Sequence, residues 1–287
     1  MKVVQFLGGL GNQMFQFAFY MALKCRFRAV RADLTEFKSY PLHNGYELER
    51  AFGIKLDLIP EWQRKLYNNK ESDPLYTMLK RLSGLKDTIF VERTEFQYDA
   101  SIFADASSKY YVGYWQNEQY FSELRNELLE SFSYKKALSQ NNLKLFGEIE
   151  RSNSVAIHVR RGDYVGHEFL GGICTDHYYQ KAIEKIEESI ENPTYFVFSN
   201  DIPWCKSNLA LSQAYFSEQN VGQSSVIDLH LMSHCKHNII ANSTFSWWGA
   251  WLNRNTKKIV IAPSKWIKSS TYDDSTMVPP SWLKIDA

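Results

Sequence analysis

The chain has 287 residues, of which 44% are apolar and 23% are charged, with a formal net charge of +1. This composition is typical of globular proteins that bury a core, and the low net charge argues against a general attraction to nucleic acid or to an anionic membrane. The four cysteines form no C-x-x-C pair, so we expect reduced thiols and no zinc site. The length allows one large domain or two smaller ones, and the motifs described below favour two.

Nothing at the start of the sequence is typical of a signal peptide, since Met1 and Lys2 lead directly into an apolar strand. No apolar stretch approaches the roughly 18 residues that span a bilayer. We therefore expect a cytoplasmic protein. The aromatic content of 15%, with eight tryptophans, suggests that some rings line a sugar-binding groove, although aromatic side chains more often fill a core.

The first half begins with a strand, a glycine-rich turn and a helix, and later mixes helices with irregular loops over 39–83. The predicted strands cover 2–7, 29–33 and 110–115, and the predicted helices cover 12–27, 118–131 and 140–151.

The second half alternates strands and helices more regularly. Its predicted strands cover 154–159, 195–198, 237–241 and 258–262, its predicted helices cover 176–191, 226–235 and 245–253, and a polar tail follows. Such alternation predicts parallel sheets covered by helices on both faces. We expect two Rossmann-like α/β domains, over 1–150 and 151–287.

Ligands of open α/β sheets bind beyond the carboxyl ends of the strands, where four polar motifs fall. The first is Gly8-Gly9-Leu10-Gly11-Asn12-Gln13, whose glycines and helix start suit an anion. Asp33 lies where a dinucleotide-binding fold has its ribose-binding acid. The third glycine of that fingerprint is replaced by Met14, so a purely structural turn is equally favoured.

The second motif is Ile157-His158-Val159-Arg160-Arg161-Gly162-Asp163-Tyr164. Side chains alternate along a strand, so His158 and Arg160 share a face. One interpretation has Asp163 neutralising one arginine while the other is solvated. The other interpretation has Arg160 binding a phosphate through its planar fork of donors.

The third and fourth motifs also follow predicted strands. The third, Phe198-Ser199-Asn200-Asp201, favours a turn with an Asx cap. The fourth motif is Asn242-Ser243-Thr244-Phe245-Ser246-Trp247-Trp248-Gly249-Ala250-Trp251. We expect its Ser and Thr to cap the next helix, the first amides of that helix to hold a diphosphate, and the three tryptophans to serve in packing. Asp228 could accept the paired N–H donors of a guanine edge or simply stabilise a helix start.

The combination resembles the α-1,2-fucosyltransferase family and, more distantly, the α-1,6- and protein O-fucosyltransferases. The residues that carry the resemblance span nearly the whole chain: Gly8-Gly9-Leu10-Gly11-Asn12-Gln13-Met14-Phe15-Gln16, His158-Val159-Arg160-Arg161-Gly162-Asp163-Tyr164 and Ser243-Thr244-Phe245-Ser246-Trp247-Trp248. The stretch Tyr114-Trp115-Gln116-Asn117-Glu118 is similar to one in bacterial members. The missing membrane anchor fits a bacterial enzyme.

The resemblance implies a GT-B-like fold, with two domains facing a cleft, GDP-fucose bound mainly by the second and the acceptor by the first. Arg160 would contact the β-phosphate, His158 would lie beside the guanosine, and Asp228 would bind the guanine edge. Further donor-binding residues would be Gly11, Asn12, Asn200, Ser243, Thr244, Phe245 and Ser246. Trp115 and Gln116 would bind the acceptor.

The implied reaction is inversion at the fucose anomeric carbon, with charge growing on the departing GDP. Arg160, His158, Asn12 and Asp163 are the expected catalytic residues. No Asp-x-Asp pair occurs in the sequence, so we expect neither a metal nor another cofactor. The base that takes the acceptor proton stays open between Asp163, Glu95, His167 and Glu168, and a late, loose transition state would need no single essential base.

The expected partners are GDP-fucose and a galactose-terminated glycan of a bacterial surface, without nucleic acid. A lipid-linked acceptor would bring the protein to the cytoplasmic face of the membrane. Three alternatives stay open: a fucosyltransferase of another linkage such as α-1,6, a dinucleotide-dependent oxidoreductase, and a carbohydrate-binding protein without catalysis.

Overall fold

The structure, a computed structural model, describes residues 1–39, 44–68, 73–85 and 87–286. Contacts divide the chain into two compact units, Met1–Ser131 and Phe132–Ala287. This division precedes the predicted boundary at residue 150, because the helix over Gln140–Arg151 packs against the strand and helix that belong to the second unit.

The first unit is built on a four-stranded parallel sheet of order β2-β1-β4-β3. Its elements are β1 (Lys2–Gln5), α1 (Leu10–Arg26), β2 (Val30–Asp33), α2 (Leu48–Phe52), α3 (Glu61–Tyr67), α4 (Pro74–Leu82), β3 (Ile89–Val91), α5 (Ser101–Ala104), β4 (Lys109–Val112) and α6 (Arg125–Ser131). Val3 at the centre of the sheet pairs with Arg31 on one side and Tyr110 on the other. Strands β1 and β2 and helix α1 confirm the predicted strand–turn–helix–strand start.

Two predictions for this unit are wrong in part. The strand predicted over 110–115 ends at Val112, because the next amides bond to a side chain: Tyr114 N and Trp115 N donate to Glu92 Oε2 at 2.7 and 3.1 Å. The helix predicted over 118–131 is two 3₁₀ turns followed by α6. Strand β3 was not predicted. Within 39–83 the described residues include α2, α3 and α4, while 40–43 and 69–72 lie outside the described residues.

The second unit is built on a six-stranded parallel sheet of order β10-β9-β8-β5-β6-β7. Its elements are α7 (Gln140–Arg151), β5 (Asn153–Val159), α8 (Asp176–Glu187), β6 (Pro193–Ser199), α9 (Ile202–Asn208), β7 (Ala214–Ser217), α10 (Ser225–His234), β8 (His237–Ile239), α11 (Thr244–Leu252), β9 (Val260–Pro263) and β10 (Leu283–Ile285). Residues 154–159 of β5 are all buried, as expected for a strand covered on both faces. The parallel α/β prediction is confirmed.

Two edge strands of this sheet were not predicted. β7 lies between polar loops, and β10 lies in the segment predicted as a polar tail. Both are short and only partly buried, so neither has the apolar run that marks a central strand. Helix α8 ends at Glu187 instead of the predicted residue 191.

The tryptophans of α11 form an aromatic cluster inside the second unit. The rings of Trp247 and Trp248 lie 5.0 Å apart and those of Trp248 and Trp251 lie 5.2 Å apart, and all three side chains are buried. Trp247 Nε1 donates to the carbonyl of Met277 at 2.9 Å. The packing interpretation of these rings is confirmed. The cluster anchors α11 in the core of the second unit.

Among the described residues, no helix combines the length and the apolar character that crossing a bilayer requires.

Candidate active site

Three of the predicted motifs meet at one edge of the second sheet. Strands β8, β5 and β6 are neighbours and run parallel, so the chain segments after their carboxyl ends leave at the same edge. These segments carry the Arg160-Arg161 pair after β5, Asn200 and Asp201 after β6, and the start of α11 after β8. This is the position where open α/β sheets bind ligands.

Arg160 lines a pocket of about 310 Å³ at this edge. Its guanidinium donates to both oxygens of Asp163, with Nε–Oδ1 at 2.8 Å and Nη2–Oδ2 at 2.9 Å. Its Nη1 makes no hydrogen bond with any residue that the structure describes. The guanidinium carbon also lies 5.6 Å from the ring centre of Tyr164, which lines the same pocket. The arginine is therefore oriented by a carboxylate while one side of its fork stays open to a ligand.

Arg161 is paired as well, which corrects the interpretation that one arginine of the pair is only solvated. Its Nε lies 3.1 Å from Asp201 Oδ2, and its guanidinium lies over the ring of Trp204 at 4.3 Å. Its backbone N–H donates to Asn200 Oδ1 at 2.9 Å. Asn200 thus holds the bend after β5, and Asp201 also caps α9 by accepting from Trp204 N.

His158 is buried at the end of β5, with its ring 5.7 Å from that of Phe245. Burial and then the nearby charge of Arg160 lower the pKa of His158 to about 3. Its Nδ1 is buried and has no hydrogen-bond partner among the described residues. The imidazole is therefore neutral at physiological pH, so it offers a hydrogen bond or a packing face to a ligand but not a positive charge.

The start of α11 differs from the predicted cap. Ser243 occupies the N-cap position, but its side chain makes no capping hydrogen bond. The hydroxyl of Ser246 donates to the carbonyls of Ala241 and Ser243 at 3.3 and 3.2 Å. The hydroxyl of Ser246 therefore stabilises this turn. The backbone N–H groups in the first turn of an α-helix have no hydrogen-bond acceptor within the helix. Thr244 and Phe245 lie in this first turn and are half-buried.

Asn242, just before this turn, ties the pocket wall together. Its Nδ2 donates to the carbonyls of Leu170 and Trp266, both at 3.1 Å. Its own carbonyl accepts from the hydroxyl of Tyr164 at 3.3 Å. Burial raises the pKa of Tyr164 to about 12, so the phenol keeps its proton. Asn242 and Tyr164 therefore fix the loop after β5 against the loop after β8.

Asp228 lies in the first turn of α10, apart from the lining of the Arg160 pocket. Its Oδ1 accepts from the hydroxyl of Ser217 at 2.6 Å and from Asn220 Nδ2 at 2.7 Å. Asn220 is in turn paired with Asn142 of α7. Burial raises the pKa of Asp228 to about 7, although these hydrogen bonds act in the opposite direction. Sequence reasoning missed Ser217, Asn220 and Asn142, which carry no motif signal.

The glycine-rich motif over 8–13 makes contacts with other loops of the first unit. Helix α1 begins at Leu10, so Gly11 and Asn12 lie in its first turn. Asn12 Oδ1 accepts from Gln116 Nε2 at 3.0 Å, which brings together two of the predicted site residues. Gln16, fully buried, accepts from Leu7 N and donates to the carbonyl of Gly113. The motif therefore holds the loops after β1 and β4 against each other.

Asp33, the candidate ribose-binding acid of a dinucleotide site, makes its hydrogen bonds within the protein. Asp33 is 2% exposed, and its two oxygens accept from the hydroxyl of Tyr110 at 2.7 Å and from Thr35 N at 2.8 Å. A carboxylate so enclosed is not presented to a ribose. This geometry argues against the dinucleotide-dependent oxidoreductase.

Trp115 is placed differently from a typical sugar-stacking ring. It is fully buried, and its ring is stacked on that of Phe19 with centroids 4.2 Å apart. Its backbone φ of 57° lies in the left-handed region, which few bulky residues occupy. The residue still lines a second pocket, within the first unit.

No group of three or more His, Cys, Asp and Glu side chains is arranged to hold a metal ion in 1–39, 44–68, 73–85 and 87–286.

The chain is similar to known glycosyltransferases over most of its length. The model of glycosyl transferase family 11 matches residues 91–286. An α-1,2-colitosyltransferase of Escherichia coli is 34% identical over 99% of this chain and 98% of its own length. The O-antigen biosynthesis glycosyltransferase WbnK of Escherichia coli is 31% identical over 97% and 98%.

More distant matches cover less or share only the fold. The mouse galactoside α-(1,2)-fucosyltransferase 2 is 29% identical over 50% of this chain and 44% of its own length. Among solved structures, the α-1,6-fucosyltransferase NodZ, soaked with GDP-fucose, matches with a TM-score of 0.50 and 14% identity over 88% of this chain and 92% of NodZ. This likeness confirms the GT-B-like fold class. The chain belongs to glycosyl transferase family 11 and is a glycosyltransferase.

Proposed function

We propose that this protein transfers L-fucose from GDP-β-L-fucose to the 2-hydroxyl of a galactose in a bacterial surface glycan. The observation that carries the proposal is the guanidinium of Arg160, oriented by Asp163 and open on one side, in a pocket at the carboxyl edge of the second sheet. Family membership and the α-1,2 linkage in the names of two relatives support the linkage. The second unit binds the donor and the first unit binds the acceptor.

In this reaction the acceptor oxygen attacks the anomeric carbon of fucose from the side opposite to GDP. The new C–O bond forms as the bond to the β-phosphate oxygen breaks, the acceptor hydroxyl loses its proton, and the configuration inverts. Negative charge grows on the leaving diphosphate. Arg160 and the first amides of α11 stabilise that charge, which lowers the barrier because the charge is larger in the transition state than in the bound donor.

We further propose that the reaction needs no metal ion. Metal-dependent sugar-nucleotide transferases hold their ion through an Asp-x-Asp pair, and the sequence has none. Arg160 supplies one positive charge to the diphosphate, and Arg161 on the same pocket wall supplies a second if the ligand draws it from Asp201. The neutral His158 contributes shape and a hydrogen bond beside the nucleoside.

A second candidate is transfer of colitose. The colitosyltransferase of Escherichia coli is similar over almost the whole of both chains. Colitose is fucose without its 3-hydroxyl, so a fucose-specific pocket would contain a hydrogen-bond partner for that hydroxyl. A site with buried polar groups for a hydroxyl discriminates strongly against an analogue that lacks it.

The deciding experiment offers the purified protein GDP-fucose and GDP-colitose separately, each with a panel of galactosides, and determines product linkage by NMR. We expect a product linked to O2 of galactose, with GDP-fucose preferred. Preference for GDP-colitose would establish the second candidate. Products linked at O6, or turnover with neither donor, would overturn the proposal.

We propose also that the protein works at the cytoplasmic face of the membrane. Helix α4 exposes a row of apolar side chains at spacings of three and four, with Leu75, Met78 and Leu82 each more than half exposed. Arg81 lies on the same helix. An exposed amphipathic helix with basic residues is typical of peripheral membrane binding. Co-flotation with liposomes that contain anionic lipid, lost on Leu82→Glu, would support this, and equal flotation of both proteins would contradict it.

A further inference from the structure

A second pocket, inside the first unit, has features that the donor site does not explain. It has a volume of about 360 Å³ and is lined by the loop after β3, the start of α5 and the aromatic residues Phe90, Trp115 and Tyr120. Polar side chains such as Thr94, Gln97 and Ser101 face it together with these rings. Mixed aromatic and hydroxyl- or amide-bearing walls are typical of pockets for small polar ligands such as sugars.

Glu92 is held in the wall of this pocket by three backbone interactions. Its backbone N–H donates to the carbonyl of Val112 at 2.8 Å. Its Oε2 accepts from the backbone N–H groups of Tyr114 and Trp115. A Cβ at Gly113 would lie 2.6 Å from Glu92 Cβ, so the glycine makes room for this carboxylate. The side chain is therefore preorganised, with one of its oxygens fully committed.

The other carboxylate oxygen of Glu92 is left unsatisfied by the part of the chain that the structure describes. Oε1 is buried and makes no hydrogen bond with any residue in the described part of the chain, and the same is true of the indole N–H of Trp115. Buried polar atoms without partners carry a free-energy penalty and are rare in native proteins. An acceptor oxygen and a donor N–H left unpaired in the wall of one pocket match a ligand that both donates and accepts. A sugar hydroxyl does both.

We propose that this pocket binds the acceptor sugar, with Glu92 Oε1 accepting a hydrogen bond from one of its hydroxyl groups and the indole of Trp115 donating to an oxygen. The proposal rests on the proposed function and adds to it an acceptor-binding carboxylate. Glu92 lies directly after the carboxyl end of β3, as Arg160 does after β5, so both occupy the ligand-binding end of their own parallel sheet.

The charge state of Glu92 gives the site a pH signature. Burial raises the pKa of Glu92 to about 7, with a smaller contribution from the carboxylate of Glu95. Arg93, Tyr98, Asp99 and Tyr120 are the other ionisable residues that line the pocket. Acceptor binding that requires the carboxylate should strengthen as pH rises through about 7.

The test compares steady-state kinetics of the wild type with Glu92→Gln, which keeps the side-chain shape and an oxygen for the amides of Tyr114 and Trp115. We expect the acceptor KM to rise by about tenfold or more, the donor KM to change by less than about twofold, and the pH dependence of acceptor kcat/KM near 7 to disappear. Glu123→Gln, an exposed carboxylate of the same unit, is the matched control and should behave as wild type.

Two further variants keep the proposal testable if Glu92→Gln does not fold. Trp115→Phe keeps the stacked ring and removes the N–H, and it should raise the acceptor KM by about three- to tenfold. Ala100→Trp fills the pocket from an exposed position of its wall and should weaken acceptor binding most. Folding of each is checked by circular dichroism and thermal denaturation.

The outcomes separate this proposal from the proposed function. A wild type that transfers sugar to a galactoside, together with folded variants whose acceptor KM is unchanged, would overturn the acceptor pocket alone. A wild type without transfer activity would overturn the proposed function. The acceptor pocket would still be tested by titrating wild type and Ala100→Trp with methyl β-galactoside and monitoring tryptophan fluorescence. The pocket predicts that the wild type binds the sugar and that Ala100→Trp does not. Equal binding by both proteins would overturn the pocket.

Discussion

The guanidinium of Arg160 and the carboxylate of Asp163 form two parallel hydrogen bonds, at 2.8 and 2.9 Å, across three residues of chain. Both groups are partly exposed, so this pair by itself contributes little to stability. Its effect is geometric: the fork of Arg160 is fixed in direction before a ligand arrives. Such preorganisation reduces the cost of positioning charge in the transition state.

Replacing Arg160 by alanine should lower kcat by about 10²–10³-fold, by analogy with removal of one oxyanion donor. Arg160→Lys keeps the charge but not the planar fork and should restore only part of the rate. Single-turnover rates with saturating GDP-fucose measure this directly. A rate for Arg160→Ala within about threefold of wild type would remove the residue from the mechanism.

Asp163→Asn should lower kcat by less than Arg160→Ala does, because the guanidinium stays but loses its orienting partner. In the double variant the second substitution should add almost nothing, since a positioning residue acts only through the group that it positions. A double-mutant cycle on kcat/KM measures the coupling. Independent, additive losses would show that Asp163 acts on its own, for example as the base.

Donor binding should strengthen as pH rises through about 7 if Asp228 accepts the guanine edge. Its raised pKa leaves the carboxyl largely protonated below that pH, and only the carboxylate accepts two N–H donors. His158 and His230 have pKa values lowered to about 3 and about 4, so neither changes charge in this range. Calorimetric titration with GDP-fucose at pH 6 and 8 tests this.

The matched variant in that experiment is Asp228→Asn, whose affinity should be weak and independent of pH. The same group has a predicted effect on folding. A carboxyl whose folded pKa lies above its unfolded value favours folding at low pH, so its contribution is lost as pH rises from about 4 to 7. Urea unfolding of Asp228→Asn should therefore show less loss of stability over this range than wild type. If the free energy of unfolding of the two proteins depended on pH in the same way, this would contradict the raised pKa of Asp228.

Activity should persist in EDTA. In our proposal, Arg160 and the first amides of α11 stabilise the charge on the leaving diphosphate, so a chelator removes no group that the reaction needs. Initial rates with and without a millimolar chelator should agree within about 20–30%. Complete loss of activity that Mn²⁺ restores would mean that a metal ion stabilises the diphosphate.

The loop that carries Tyr164 should be sensitive to a single methyl group at Gly171. A Cβ there would overlap the carbonyl oxygen of Tyr164 and lie 2.8 Å from that of His167, and both are backbone atoms, which move less readily than the end of a flexible side chain. We expect Gly171→Ala to lower the free energy of unfolding by about 1–3 kcal/mol and to reduce donor affinity. Gly147→Ala, in the middle of α7, is the control and should be neutral or stabilising by up to about 1 kcal/mol.

The central elements of both sheets could be predicted from the sequence because their apolar runs are continuous and are bounded by glycine or polar residues. The short edge strands β3, β7 and β10 could not, since partial burial leaves no such pattern. Trp115 could not be placed either. Its burial and left-handed backbone follow from Glu92, a residue 23 positions earlier that takes the amide hydrogen bonds a longer strand would have used.

The positions of the polar motifs after β5, β6 and β8 could be predicted from the sequence, and parallel topology then brings them to one edge. The pairing of their charges could not be predicted in this way. Asp163 holds Arg160, while Arg161 pairs with Asp201, 40 residues away. Folding in three dimensions also encloses Asp228 between Ser217 and Asn220 and leaves Glu92 Oε1 without a hydrogen-bond partner among the described residues. Local spacing governs a strand or a turn, but desolvation and pairing depend on groups from distant parts of the chain.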